Sequence, residues 1–178
     1  MKNQVYYTNG GGDEQHTPRY GVEALLPHIQ HLKEKIIWCP FDKEDSEFVK
    51  ALKENNFNVV FSHIATGQDF FNYEPEKWDV IISNPPYKNK RLFWERCLDL
   101  KKPFALLLPV NILSDSVINA TTKGRDADFQ LLIPNKRMRF FNKLTGKIGN
   151  QPTFKAVYFG INIFKQQIIL QDIEKGKK

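Results

Sequence analysis

The chain has 178 residues, 41% hydrophobic and 26% charged, which suits one globular domain and excludes a disordered or fibrous protein. Lys and Arg number 26 against 20 Asp and Glu, and the resulting net charge of +6 leans toward polyanionic partners. Cys39 and Cys97 lie far apart and form no CxxC pair, which excludes a disulfide scaffold and a Cys-based zinc site. His28 and His31 are the one local histidine pair, without an evident third ligand, so no metal is expected.

No apolar run reaches the roughly 20 residues that span a bilayer. Met1-Lys2-Asn3-Gln4 lacks the apolar core of a signal peptide. A reduced, cytoplasmic protein without membrane contact is the expectation. Residues 1–12 end in Gly10-Gly11-Gly12 and read as a flexible arm. Residues 13–170 read as one catalytic domain, and 171–178 as a frayed, charged tail.

In chain order, Val22, Leu25, Leu26 and Ile29 recur at helical spacing, predicting a helix over Tyr20 to Leu32 that Pro27 kinks or divides. Lys35 to Trp38 predicts a strand. Asp45 to Asn55 predicts an amphipathic helix with Phe48, Val49 and Leu52 inward. Asn58 to Ile64 and Trp78 to Ser83 predict two more strands, the second apolar through its middle, as in a parallel sheet covered on both faces. Leu92 to Leu100 reads as a helix and Phe104 to Val110 as a buried strand. Ser114 to Asp128 is polar and reads as a mobile loop or frayed helix. Phe129 to Ile133 and Ala156 to Phe164 are β-like. The alternation of strand and helix is the α/β pattern, and ligands of such sheets sit beyond the carboxyl ends of the strands.

Beyond the strand DVIIS stands Asn84-Pro85-Pro86-Tyr87. Two prolines stiffen the backbone and remove two N–H donors, leaving carbonyls that only accept. An Asn amide oxygen beside a rigid carbonyl is a paired acceptor, suited to an –NH2 group with two protons to give. The Tyr offers a flat face to a planar group.

SNPPY at the end of a central strand resembles the hallmark of S-adenosylmethionine-dependent amino methyltransferases, especially the DNA N6-adenine methyltransferases. Thr17-Pro18, ahead of the first helix, is similar to that family's N-terminal cofactor motif. Gly67-Gln68-Asp69-Phe70 is similar to its GxDF segment near the cofactor adenine. The resemblance implies a Rossmann-like class I α/β methyltransferase fold, with a mostly parallel sheet, an antiparallel last strand and helices on both faces. It implies S-adenosylmethionine as cofactor, held by Thr17, Pro18, Pro40, Phe41, Asp42, His63, Asp69 and Phe70. Asn84, Pro85, Pro86 and Tyr87 are the implied catalytic residues. Phe154 is the candidate for the opposite face of an extruded base. Lys88, Lys90 and Arg91, with Arg137 and Arg139, are candidates for phosphate contact.

The chain departs from the family in three places. The loop Cys39-Pro40-Phe41-Asp42-Lys43-Glu44-Asp45-Ser46 carries no glycine where the family's first motif is glycine-rich. Ser62-His63 stands where the family places a ribose-binding acid. Asp42 and Asp45 are the substitutes for gripping the cofactor, while Ser46 doubles as a candidate helix cap. The stretch from Ile64 to Trp78 is short for the family's usual extra helix and strand. Methyl transfer to a nucleobase amine, adenine N6 in DNA before RNA, is the expected activity. The alternatives are a protein glutamine methyltransferase and a degenerate scaffold that only binds nucleic acid. A monomer or weak dimer is expected, with sequence specificity in short loops or supplied by a partner.

Overall fold

The computed structural model describes residues 15–114, 116–125, 127–142 and 153–174. The expected arm, 1–12, and the end of the expected tail, 175–178, lie outside them. Among the described residues, two short strands, β1 (Gln15–His16) and β7 (Phe141–Asn142), pair antiparallel as a ribbon. Seven others form one sheet: β2 (Ile36–Cys39), β3 (Asn58–Phe61), β4 (Val80–Ser83), β5 (Phe104–Pro109), β6 (Phe129–Pro134), β8 (Ala156–Ile161) and β9 (Ile168–Gln171). Their order is β3-β2-β4-β5-β8-β6-β9. β3, β2, β4 and β5 run parallel, β8 is antiparallel to β5 and β6, and β9 is parallel to β6.

Alternating strand residues feed two cores, as the period of two requires. On one face Ile37, Cys39, Val80 and Ile82 meet Val22, Leu25 and Ile29, together with Phe48 and Leu52 from α2 (Glu47–Glu54). On the other, Trp38, Ile81, Leu106 and Phe159 meet Phe93, Trp94 and Cys97 of α3 (Lys90–Asp99) and Val117 and Ile118 of α4 (Val117–Thr122). Every residue of β4, β5 and β8 is buried. That explains why these segments read as unbroken apolar runs.

Several expected boundaries move. The helix over Tyr20 to Leu32 is only α1 (Arg19–Glu23), followed by two 3-10 turns, Leu26–His28 and Gln30–Leu32. Pro27 sits at the start of the first turn, where its missing N–H interrupts an α ladder. α2 begins after Ser46, whose Oγ accepts from the Val49 N–H at 3.2 Å, so Ser46 is indeed a helix cap. β3 stops at Phe61, and a 3-10 turn follows at Ile64–Thr66. No further strand lies between there and β4 among the described residues, so β3 is the sheet edge. The segment after Ser114 holds α4.

The antiparallel strand is present as β8, but it is not the last. β9 adds an outer strand, and Asn135 fastens the chain beyond it. The Asn135 side chain donates to Asp172 Oδ1 at 2.6 Å and accepts from the Ile173 N–H at 3.1 Å. Gln171 to Ile173 are therefore part of the fold and not a frayed tail; Ile173 is buried.

Candidate functional site

β2 pairs with β3 on one side and β4 on the other, so the crevice between the carboxyl ends of β2 and β4 is the switch point of the sheet. Pro40–Ser46 leaves β2 there, and Asn84 leaves β4 there. The ribbon β1–β7 delivers Thr17, next after the His16–Phe141 pair, to the same place. Asn84 Nδ2 donates to Thr17 Oγ1 at 3.1 Å. The other amide atom, Asn84 Oδ1, is buried and accepts nothing. Buried polar atoms are almost always partnered, so an orphan acceptor at a switch point is a candidate ligand contact.

Tyr87 opens the turn that leads into α3. Its ring lies edge-on to Phe154 at 5.5 Å between centroids and to Phe140 at 6.1 Å. Its hydroxyl is buried without a partner, and burial pushes its pKa up. The pairing of Tyr87 with Phe154 joins two candidates 67 positions apart in sequence. Phe140 is not among the residues the sequence singles out; its place beside Tyr87 comes from the ribbon, which no local pattern announces.

Asp42 is turned inward. Its N–H donates to the Ser62 carbonyl at 3.2 Å, and its Oδ2 accepts from Ser83 Oγ at 2.5 Å. Burial raises its pKa from 3.8 to about 6, against the opposing pull of the Ser83 and Ser46 hydroxyls. Ser83, fully buried directly before Asn84, was missed in the sequence as part of the site. A polar residue ending an all-apolar strand was the signal, because such a group needs a partner.

The raised pKa has a consequence for stability. The folded state binds this proton more tightly than the unfolded chain does, so its contribution is fully present below pH 3.8 and is lost as pH rises through about 6. The difference of about two pKa units corresponds to about 3 kcal/mol. Asp42→Asn, which has no charge to desolvate, gains stability relative to the parent as pH rises from 4 to 7. Paired urea denaturations across that range check this; a constant difference contradicts it.

The remaining candidates divide. Pro40 and Pro18 are buried, Pro18 directly before α1. Phe41 is half-buried, edge-on to Phe70 and to Phe93, each at 4.9 Å. Phe70 is sealed beneath it, 1% exposed. His63 caps the turn after β3, its Nδ1 accepting from the Ala65 N–H at 3.0 Å. Asp69 uses its carboxylate on the Phe71 N–H and the Asn72 side chain. Asp45 is exposed. Ser62, at the position of the family's ribose acid, accepts from the Trp38 indole at 2.9 Å. Lys88, Lys90 and Arg91 line an open groove of about 420 Å³ against Ser116 and Val117. Arg91 also pairs with Glu95 at 2.8 Å. Arg137 and Arg139 are exposed on the chain leading into β7, where the Arg139 N–H donates to the Tyr20 hydroxyl at 2.8 Å. No helix of the described residues is long and apolar enough to cross a membrane.

No protein-family model matches the sequence, and no curated protein does. Solved structures do match. The methyltransferase subunit of a type I restriction-modification system from Streptococcus thermophilus aligns with a TM-score of 0.51 and 12% identity, over 95% of this chain and 50% of that one. This chain thus spans half the length of that subunit. A predicted O-methyltransferase from Agrobacterium tumefaciens aligns with a TM-score of 0.42 and 11% identity, over 86% of this chain and 84% of that one. With its parallel half-sheet, antiparallel β8 and helices on both faces, the chain has a Rossmann-like methyltransferase fold.

Proposed function

We propose that the chain is an S-adenosylmethionine-dependent methyltransferase acting on an exocyclic nucleobase amine, adenine N6 in DNA before RNA. The observation that carries this is the buried, unpartnered Oδ1 of Asn84, held at the switch point by Thr17. The cofactor's fit rests on the same crevice. A buried carboxylate with a pKa near neutrality, Asp42, is an electrostatic cost that a cationic or hydroxyl-bearing ligand relieves. Asp42, Pro40 and Phe41, with Thr17, Pro18 and His63, would hold the cofactor, Asp69 would help shape its rim, and Phe70 would back the Phe41 ring. When bound, S-adenosylmethionine supplies an electrophilic methyl group.

The work of the chain is on the amine. An exocyclic amine is a poor nucleophile because its lone pair is delocalised into the ring. Asn84 Oδ1 and the Pro85 carbonyl accept hydrogen bonds from its two N–H groups, drawing the nitrogen toward a tetrahedral shape with its lone pair free, and the nitrogen sheds one of those protons to solvent once it has gained the methyl group. Pro86 keeps that backbone rigid. Positioning and fixed dipoles do most of the catalysis. Tyr87 and Phe154 touch each other edge-on, with no room for a base between them, so together they form one aromatic wall against the base, which has to be flipped out or single-stranded to reach it. Lys88, Lys90 and Arg91 in their groove, and Arg137 and Arg139 beyond, contact phosphates. Sequence specificity is supplied by short loops or by a partner.

Incubation with labelled S-adenosylmethionine and DNA, RNA and protein tests this reading. Label in nucleic acid, falling as salt rises, supports it. Label in protein alone moves the substrate to a glutamine amide. Cofactor binding with no transfer to any of them overturns it.

A further inference from the structure

We propose that two copies of the chain pair antiparallel through the outer strand β9, about a two-fold axis at Ile169, and so form one continuous sheet. The proposal goes beyond the methyltransferase reading and does not rest on it.

β9 is an open edge of the sheet, and its exposed side chains are apolar. Ile168 is 59% exposed and Leu170 80%. They stand in register beside Leu131 and Ile133 of β6, so the four lie on one face of the sheet. Leu131 and Ile133 are themselves only half-buried. Large apolar side chains on an open edge are a template for a further strand. The opposite edge, β3, is guarded. Its Val59, Val60 and Phe61 are half-buried, and Lys53 Nζ stands over the Phe61 ring at 5.2 Å.

The backbone gives the register. The Leu131 N–H donates to the Gln167 carbonyl and the Asn135 N–H to the Gln171 carbonyl, each at 2.8 Å. Alternate residues of a strand turn their N–H and C=O to opposite sides, so Gln167, Ile169 and Gln171 face β6. Ile168 and Leu170 present theirs to the open edge. A second β9, turned about Ile169, meets these groups. Ile168 of each copy then faces Leu170 of the other, in two hydrogen-bonded pairs that make four bonds. Opposed side chains fall on one face, so the apolar strips of the two copies merge.

Charge favours a second copy in this direction. Among the described residues that flank β9, Lys165 lies before it and Asp172 and Glu174 after it, all three exposed. Antiparallel pairing sets Lys165 of each copy beside the acids of the other; parallel pairing would set like charges together. The contact is also closed, because only the guarded β3 edges are left once it forms. β9 lies four strands from β4, so both candidate sites stay open.

Sedimentation equilibrium of the whole chain, from low to high micromolar concentration, tests the proposal. The interface is small, so the parent is expected to pass from the monomer mass to twice that mass with a dissociation constant on the order of 10 µM. Leu170→Lys places a charge in the merged strip and weakens pairing at least about tenfold. Its melting temperature stays that of the parent monomer, because the side chain is exposed. Ile168→Lys, at the facing position, does the same and stands in if the first variant does not fold. Lys165→Glu weakens pairing several-fold at low salt, and adding Glu174→Lys to it restores the parent's value. A parent that stays monomeric throughout, or pairing that both lysine variants leave intact, overturns the proposal. So does a double charge variant that pairs no better than Lys165→Glu alone.

Discussion

Asn84→Ala loses methyl transfer by a factor of about 100–1,000, with fold and cofactor binding unchanged. That is the usual loss when one oriented polar group is removed from a reacting centre. The argument is geometric. Asn84 Oδ1 has no partner in the protein, so its removal breaks no contact that holds the fold. The one bond lost is Nδ2 to Thr17, on a side chain that is half-buried. Asn84→Asp retains more activity than Asn84→Ala, because a carboxylate still accepts. Single-turnover methylation at saturating cofactor checks this, with circular dichroism as the folding control. Parent rates in a folded Asn84→Ala protein remove the residue from the mechanism.

Trp94→Ala has the largest expected effect on stability. Trp94 is fully buried, 5.0 Å between ring centroids from Phe104 of the sheet, and 6.2 Å from Phe129. Its indole N–H donates to Thr121 Oγ1 at 3.0 Å, tying α3 to α4. Truncation leaves a large cavity, and such changes cost about 3–5 kcal/mol. Against a typical total of about 5–15 kcal/mol, that leaves the fold marginal at best. Trp94→Phe keeps most of the area and loses only the hydrogen bond. Thr121 Oγ1 already donates to the Val117 carbonyl at 2.6 Å, so no polar group is stranded and the loss is about 1 kcal/mol. Urea denaturation midpoints measure both; a shift for Trp94→Ala no larger than for Trp94→Phe contradicts the assignment of Trp94 to the core.

What could be read in the sequence follows from how local each signal is. The central strands were legible because burial on both faces leaves runs such as VIIS and FALLLP without alternation. NPPY was legible because its chemistry lies within four consecutive residues. β9 was not, because it is an edge strand with Ile168 and Leu170 exposed, and a short apolar run before a charged tail carries little signal. The long first helix failed at Pro27, where a helical spacing of apolar residues is satisfied equally well by consecutive 3-10 turns.

The site was legible residue by residue and not in its connections. Thr17 and Asn84 were both singled out, but nothing local says that one holds the other across 67 positions. The sequence offers Asp42 only as a substitute for gripping the cofactor. The structure turns it inward to Ser83, 41 positions away, because a buried hydroxyl and a buried carboxylate satisfy each other. Phe70 was read as a cofactor contact from its motif. Its neighbours Trp38, Phe41 and Phe93 enclose it, and of Phe41 and Phe70 only Phe41, half-buried, keeps any exposure to speak of.

The most direct measurement is nucleoside mass analysis of single-stranded and duplex DNA after incubation with the pure protein and S-adenosylmethionine, beside an Asn84→Ala control. The account predicts N6-methyldeoxyadenosine in the parent reaction, more in single strands than in duplex, and a background level in the control. Methylation on a ring nitrogen or carbon, or the same yield from Asn84→Ala, would contradict the claim that Asn84 and Pro85 ready an exocyclic amine.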